Sequence, residues 1–210
     1  YIVAMSQIKP PQEQIDYILN LFKSNQIQQA LDFIDILSKD YPDKSLLFNI
    51  RGAGDAGLGQ LDIAVQNYEK ALSIKPDYAK AHYNLGSALH ELGKLNDSVK
   101  SFENSIALEP ENAQAHNNLA ILLRELNQLE EAEASCRKAI DLNPEYVEAY
   151  ISLSIILYAN GDLNSAVESI EKAHSINPKL KLTKLLLAIL KARKNRDTND
   201  ISVGNISKLG

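Results

Sequence analysis

Five prolines impose the tightest constraint on what this chain can fold into. Pro42, Pro76, Pro110, Pro144 and Pro178 follow one another at intervals of 34 residues, while Pro10 and Pro11 stand together near the start. A fixed period of this size marks stacked structural repeats, each too small to bury a core alone. Counting back from each proline gives repeats at 11–44, 45–78, 79–112, 113–146 and 147–180.

Other positions keep the same register. The fifteenth residue of each repeat is Asn25, Gly59, Gly93, Asn127 or Gly161. Glycine and asparagine best tolerate a left-handed backbone, so each marks a helix end and a turn into the next helix. The twentieth position holds Ala30, Ala64, Ser98, Ala132 and Ala166, small enough for two helices to approach closely. Seven residues later come Leu37, Ala71, Ser105, Ala139 and Ala173, and between these Ile34, Tyr68, Phe102, Cys136 and Ile170 fill the space. The prolines stop the second helix, because proline has no donor and restricts the residue before it. Asp43, Asp77, Glu111 and Glu145 follow four of them, where an acid suits the positive end of the next helix.

This pattern resembles the tetratricopeptide repeat family. The third repeat, with Leu85, Gly86, Leu89, Gly93, Phe102 and Pro110, matches its large–small alternation closely, as does the fourth, with Leu119, Ala120, Leu123, Ala132, Ala139 and Pro144. The first repeat departs most, with Ile18 and Leu37 where small residues are usual. The resemblance implies an all-α fold, a right-handed α–α superhelix of five helix pairs over 11–180. It also implies a concave surface lined by the first helix of each pair.

Beyond the fifth repeat, apolar residues at 182, 185, 186, 189 and 190 have helical spacing and predict a capping helix over 181–196. Residues 197–210 are polar and read as a flexible tail or linker, and 1–10 as an N-terminal extension or vector-derived residues. The stretch 179–196 holds seven Lys or Arg and no acid.

Charge and composition narrow the function classes. A net charge of −5 disfavours a phosphate backbone as partner, and no apolar run reaches the length of a membrane span. One cysteine, Cys136, excludes an internal disulfide and a cysteine-based zinc site, and a reducing, cytoplasmic setting is expected. His82, His90, His116 and His174 have no metal-ligand spacing. Gly52, Gly54 and Gly57 spell a dinucleotide-binding fingerprint, yet they fall on a first helix and no run of alternating strands and helices surrounds them. No catalytic constellation, metal or cofactor is therefore expected.

In the resembling family, positions two, five, six, nine, twelve and thirteen of each repeat tend to face the concave side. Here they hold Lys80, Asn84, Ser87, His90 and Glu91, then Gln114, Asn117, Asn118, Arg124 and Glu125, with Asn49 further up. Asparagine amides carry both donor and acceptor groups, so a row of them can bond the backbone of an extended peptide. Asn84 and Asn118 correspond to the asparagine ladder of the repeat domain of O-linked N-acetylglucosamine transferases. The carboxylate clamp of cochaperones is not matched, since Ile15 and Leu19 stand where Lys and Asn are needed, and Gln114 and Asn118 where Lys and Arg are. Toward the C-terminus the surface turns apolar at Ile121, Ile151, Ile155, Leu185 and Ile189. A weak homodimer through that stripe is expected, or cover by Ile201, Val203, Ile206 and Leu209 of the tail.

The expected function is a non-enzymatic scaffold that binds an extended peptide or protein segment. The alternative is the substrate-docking region of a longer enzyme of sulfotransferase or glycosyltransferase type.

Overall fold

The computed structural model describes residues 12–206, with side chains through Arg196, so the N-terminal extension and residues 207–210 lie outside the described residues. Among these there are eleven helices and no strand. Five pairs come first: α1 (Gln12–Lys23) and α2 (Ile27–Asp40), α3 (Ser45–Gly57) and α4 (Leu61–Ile74), α5 (Ala79–Glu91) and α6 (Leu95–Leu108), α7 (Ala113–Glu125) and α8 (Leu129–Leu142), α9 (Val147–Ala159) and α10 (Leu163–Ile176). The final helix is α11 (Lys181–Ile206). From α3 onward each first helix packs most closely on the second helix of its own repeat. The contacts divide the chain into two compact units at Pro110.

The turn chemistry is the one the register predicts. Asn25 and Asn127 have φ of 57° and 60°, and Gly59, Gly93 and Gly161 have 75°, 73° and 85°. The residue after each donates back to the first helix, for example Gln60 N to Asp55 O at 2.9 Å and Asp162 N to Leu157 O at 2.9 Å. The second helices all stop two residues before their prolines. The residue before each proline is extended or nearly so, as with Asn143 at φ −141° and ψ 92°.

Within a pair, the eighth position meets the twenty-fourth. A Cβ added at Gly52 would lie 2.6 Å from the Tyr68 ring, and one at Gly86 3.0 Å from the Phe102 ring. Aromatic rings thus sit over glycine. The smaller Cys136 shares its repeat with Ala120, and Ile170 with Ser154. Two serines add a tie across the same seam: Ser98 Oγ donates to Gly86 O at 2.6 Å and Ser154 Oγ to Ala166 O at 2.7 Å.

The last helix is longer than its apolar spacing suggests. It does not end at 196 but continues to Ile206, and no proline interrupts 191–206. The side chains of Ile201, Val203, Ile206 and Leu209, the expected tail cover, lie outside the described residues. No helix among the described residues is long and apolar enough to cross a membrane.

Candidate functional site

In the N-terminal unit the predicted polar residues form a network. Asn84 Nδ2 on α5 donates to Asn49 Oδ1 on α3 at 3.0 Å, and Asn49 Nδ2 donates to the Tyr78 hydroxyl at 3.4 Å. Asn49 is only 6% exposed. It is therefore not an open contact residue, as the sequence suggests, but the support that fixes the Asn84 amide. Burial raises the Tyr78 phenol above its ordinary value, and the bond from Asn49 partly offsets this. Tyr78, absent from the sequence-based set, occupies the last residue of its repeat, and no spacing rule singles it out.

The neighbours are partly committed. Ser87 Oγ donates to its own helix at Tyr83 O, 3.1 Å away. The exposed Lys80 ammonium stands 4.7 Å from the Tyr83 ring centroid, a cation–π contact along one helix.

The C-terminal unit presents a different face. Gln114 is exposed, Asn118 half-buried, and Arg124 is half-buried with its guanidinium 3.8 Å from Glu125. Asn117 is only 4% exposed, which corrects its reading as a surface residue, and its Oδ1 has no hydrogen-bond partner. The register explains the orphan. Asn49 and Asn117 hold the fifth position of their repeats, and Asn84 and Ser152 the sixth position of the repeats that follow. The Asn49–Asn84 bond is made, whereas Ser152 replaces the asparagine that would serve Asn117.

The apolar stripe is only partly exposed. Ile151 is buried and Ile121 half-buried, so these two belong to the packing rather than to an open surface. Ile155, Leu185 and Ile189 are 37%, 58% and 54% exposed, and Tyr158 and Leu182 join them.

A buried charge is the feature with least precedent in the repeat pattern. Asp55 on α3 is 1% exposed at the eleventh position, where other repeats hold Leu21, Leu89, Leu123 and Leu157. Asn67 Nδ2 donates to it at 2.8 Å, Arg51 Nε lies 3.6 Å away, and Arg51 also pairs with Asp35. Desolvation raises the Asp55 carboxyl above 3.8, with Arg51 and then Asn67 opposing. Its partners, Arg51 on α3 and Asn67 on α4, hold it within the helix pair.

The remaining motifs are absorbed by the fold. Gly52, Gly54 and Gly57 lie inside α3, and added Cβ atoms at the first two would strike Tyr68, Leu31 and Phe22. That segment is a packed helix, not a phosphate loop. His82 Nε2 is bonded to Pro76 O at 2.9 Å and His174 Nδ1 to Thr183 Oγ1 at 3.2 Å. Cys136 is buried, and burial pushes its thiol up to about 12. A cleft of about 350 Å³ opens among α8, α9 and α10, lined by Arg137, Tyr150 and Glu168 among others. Arg137 is already paired with Glu133 at 2.7 Å.

Helix pairs of constant length, turned by a left-handed Asn or Gly and closed by proline, define a helical-repeat protein of the solenoid class. The chain belongs to the tetratricopeptide repeat family. A family model described as TPR repeat matches residues 57–93 and 86–123, and two described as tetratricopeptide repeat match 113–146 and 147–180. Among solved structures, PilW, a type IV pilus biogenesis factor, is 22% identical with a TM-score of 0.75, over 90% of this chain and 93% of that one. A MamA structure from Desulfovibrio magneticus RS-1 is 21% identical with a TM-score of 0.74, over 80% and 96%. YrrB, described as a TPR protein with an unusual peptide-binding site, is 20% identical with a TM-score of 0.71, over 86% and 90%. These likenesses concern the fold. A peroxisomal targeting signal receptor of Candida albicans is 29% identical over 87 residues, 39% of this chain and 15% of the receptor. Its counterpart in Candida glabrata is 29% identical over 75 residues, 36% of this chain and 13% of that receptor. The chain thus spans a small part of the curated relatives it matches.

Proposed function

We propose that this chain is a non-catalytic protein-interaction scaffold that holds an extended peptide or protein segment on the exposed faces of its first helices. The observation that carries this reading is the Asn84–Asn49–Tyr78 network. Buried Asn49 holds the Asn84 Nδ2, so the amide is fixed before any ligand arrives and its Oδ1 stays available as an acceptor. Such preorganisation lowers the ordering cost of binding. Membership of a repeat family and the description of YrrB as having a peptide-binding site support the same reading.

A peptide selected from a random display library against the full chain provides the test. Asn84→Ala alone would strand the buried Asn49 acceptor, so the informative variant is Asn49→Leu with Asn84→Ala, which removes both partners at little cost to stability. Losing one hydrogen bond to the ligand, worth about 0.5–1.5 kcal/mol, should weaken binding roughly two- to tenfold. Unchanged affinity in the double variant, or failure to select any peptide, would overturn the reading.

A further inference from the structure

We infer that the seam between α7 and α9 is a binding subsite for a side-chain carboxamide, an asparagine or glutamine of a bound segment, whose N–H donates to Asn117 Oδ1. The inference rests on the scaffold reading above and names the ligand group that the C-terminal unit selects.

The first observation is the orphaned acceptor. Asn117 is 4% exposed, and its Oδ1 is buried with no hydrogen-bond partner. Leaving a buried acceptor unpaired costs free energy that a fitting donor recovers. An amide oxygen accepts and never donates, so the missing group is a donor.

The second observation is that the chain itself supplies this donor in the equivalent seam. Asn49 and Asn117 hold the fifth position of the second and fourth repeats, and Tyr78 and Tyr146 the last. Between α3 and α5 the Asn84 carboxamide reaches the Asn49 Oδ1 at 3.0 Å. Between α7 and α9 the position of Asn84 is taken by Ser152, half-buried, and no donor meets Asn117 Oδ1. The group that completes such a seam in this molecule is therefore a primary amide carried on a side chain.

The surroundings narrow the choice to a neutral donor. Ile121 follows Asn117 by one turn of α7, and Ile155 follows Ser152 by three residues on α9, with Ile151 buried beside it. Bringing an ammonium or guanidinium among these isoleucines costs far more desolvation than bringing a neutral amide. A covered oxygen is met by a side chain entering end-on, as Asn84 does, rather than by the main chain of a ligand lying on the surface. The terminal amide torsion of Asn117 is soft, so Oδ1 turns readily to the incoming group. Ile121 is half-buried and Ile155 is 37% exposed, so both offer contact to an aliphatic residue beside the carboxamide. The exposure of Ile155 is not that of a chain end, since α11 packs on α10 beyond it.

Fluorescence anisotropy on the full chain tests the inference. The probe is a labelled peptide of about twelve residues built from leucine–glutamine–serine triplets. Two controls replace every glutamine, one with methionine, of similar shape but without the amide, and one with glutamate, which at neutral pH accepts but does not donate. The glutamine peptide should bind about fivefold more tightly than either control, the yield of one hydrogen bond to a buried acceptor. Ser152→Asn supplies the donor from within the chain, and Asn117→Leu removes the acceptor. Each should bring the ratio of glutamine to methionine affinity to about one. A merely structural Asn117 would shift the melting temperature in these variants but not that ratio. Should Asn117→Leu fail to fold, Ser152→Asn alone decides the matter. If the three peptides bind the unmodified chain equally, or the ratio survives Ser152→Asn, the orphaned oxygen is served by solvent only; the inference falls and the scaffold reading stands. If none of the three binds at about a hundred micromolar, while the library-selected peptide still binds, the carboxamide chemistry is wrong. If no library peptide binds either, both readings fail.

Discussion

Asn117 and Asn49 are the same residue at the same repeat position, yet one is satisfied and the other is not. The difference lies one repeat further on, in Asn84 against Ser152. Ser152→Asn should therefore supply the missing donor and raise stability by about 0.5–1.5 kcal/mol in urea unfolding; no gain would mean that the α7–α9 geometry differs from that of α3–α5. Asp55 makes a prediction about pH. Its folded-state carboxyl is raised above 3.8 by burial, so the native state binds its proton more tightly than the unfolded chain. The cost of the buried charge is fully present at neutral pH and is relieved as pH falls through the raised value. Asn at this position is neutral throughout. The stability difference between Asp55→Asn and the unmodified chain should thus depend on pH, moving in favour of the unmodified chain as pH falls from 7 toward 4. A difference flat across that range would show that Arg51 and Asn67 hold the carboxylate at its ordinary value.

At the scale of the element, α3 shows how sequence cost and packing gain are weighed. Its glycines are each unfavourable in a helix interior by about 1 kcal/mol relative to alanine; from the register Gly52 falls on the small position of the first helix, while Gly54 and Gly57 look like surplus. The structure separates them. Gly52 and Gly54 admit Tyr68, Leu31 and Phe22 at distances no Cβ would allow, while Gly57 has open space, with its nearest neighbour, Ile27, at 3.7 Å. Gly52→Ala should destabilise by about 1–3 kcal/mol through overpacking. Gly57→Ala should stabilise by about 0.4–1 kcal/mol, by reducing the freedom of the unfolded chain. Thermal melts of the two variants should shift in opposite directions, and a shared sign would remove the packing explanation.

For the whole molecule, the relevant property is that each helix touches mainly its sequence neighbours within a unit. Stability in such an array is close to a sum of local terms. Hydrogen exchange on Gly52→Ala should therefore show faster exchange in α3 and α4 and unchanged protection in α9 and α10. Uniform loss of protection would indicate that the chain unfolds only as one cooperative body.

The sequence alone determined the period, the helix pairs, the left-handed turns and the proline stops, because each depends on local backbone preference at fixed spacing. Asn25, Gly59, Gly93, Asn127 and Gly161 adopt positive φ where the register put them. It also placed the polar and apolar first-helix positions, since those follow from helical spacing. What it could not decide was which of them are open. Asn49, Asn117 and Ile151 are covered, and Leu185 and Ile189 are not, because exposure depends on how far neighbouring helices approach. That distance is set by side-chain volumes on the facing helices: a ring over Gly52 or Gly86, a thiol in the repeat of Ala120. Periodicity reports the position of each side chain along its own helix, and only the packed structure reports what stands opposite.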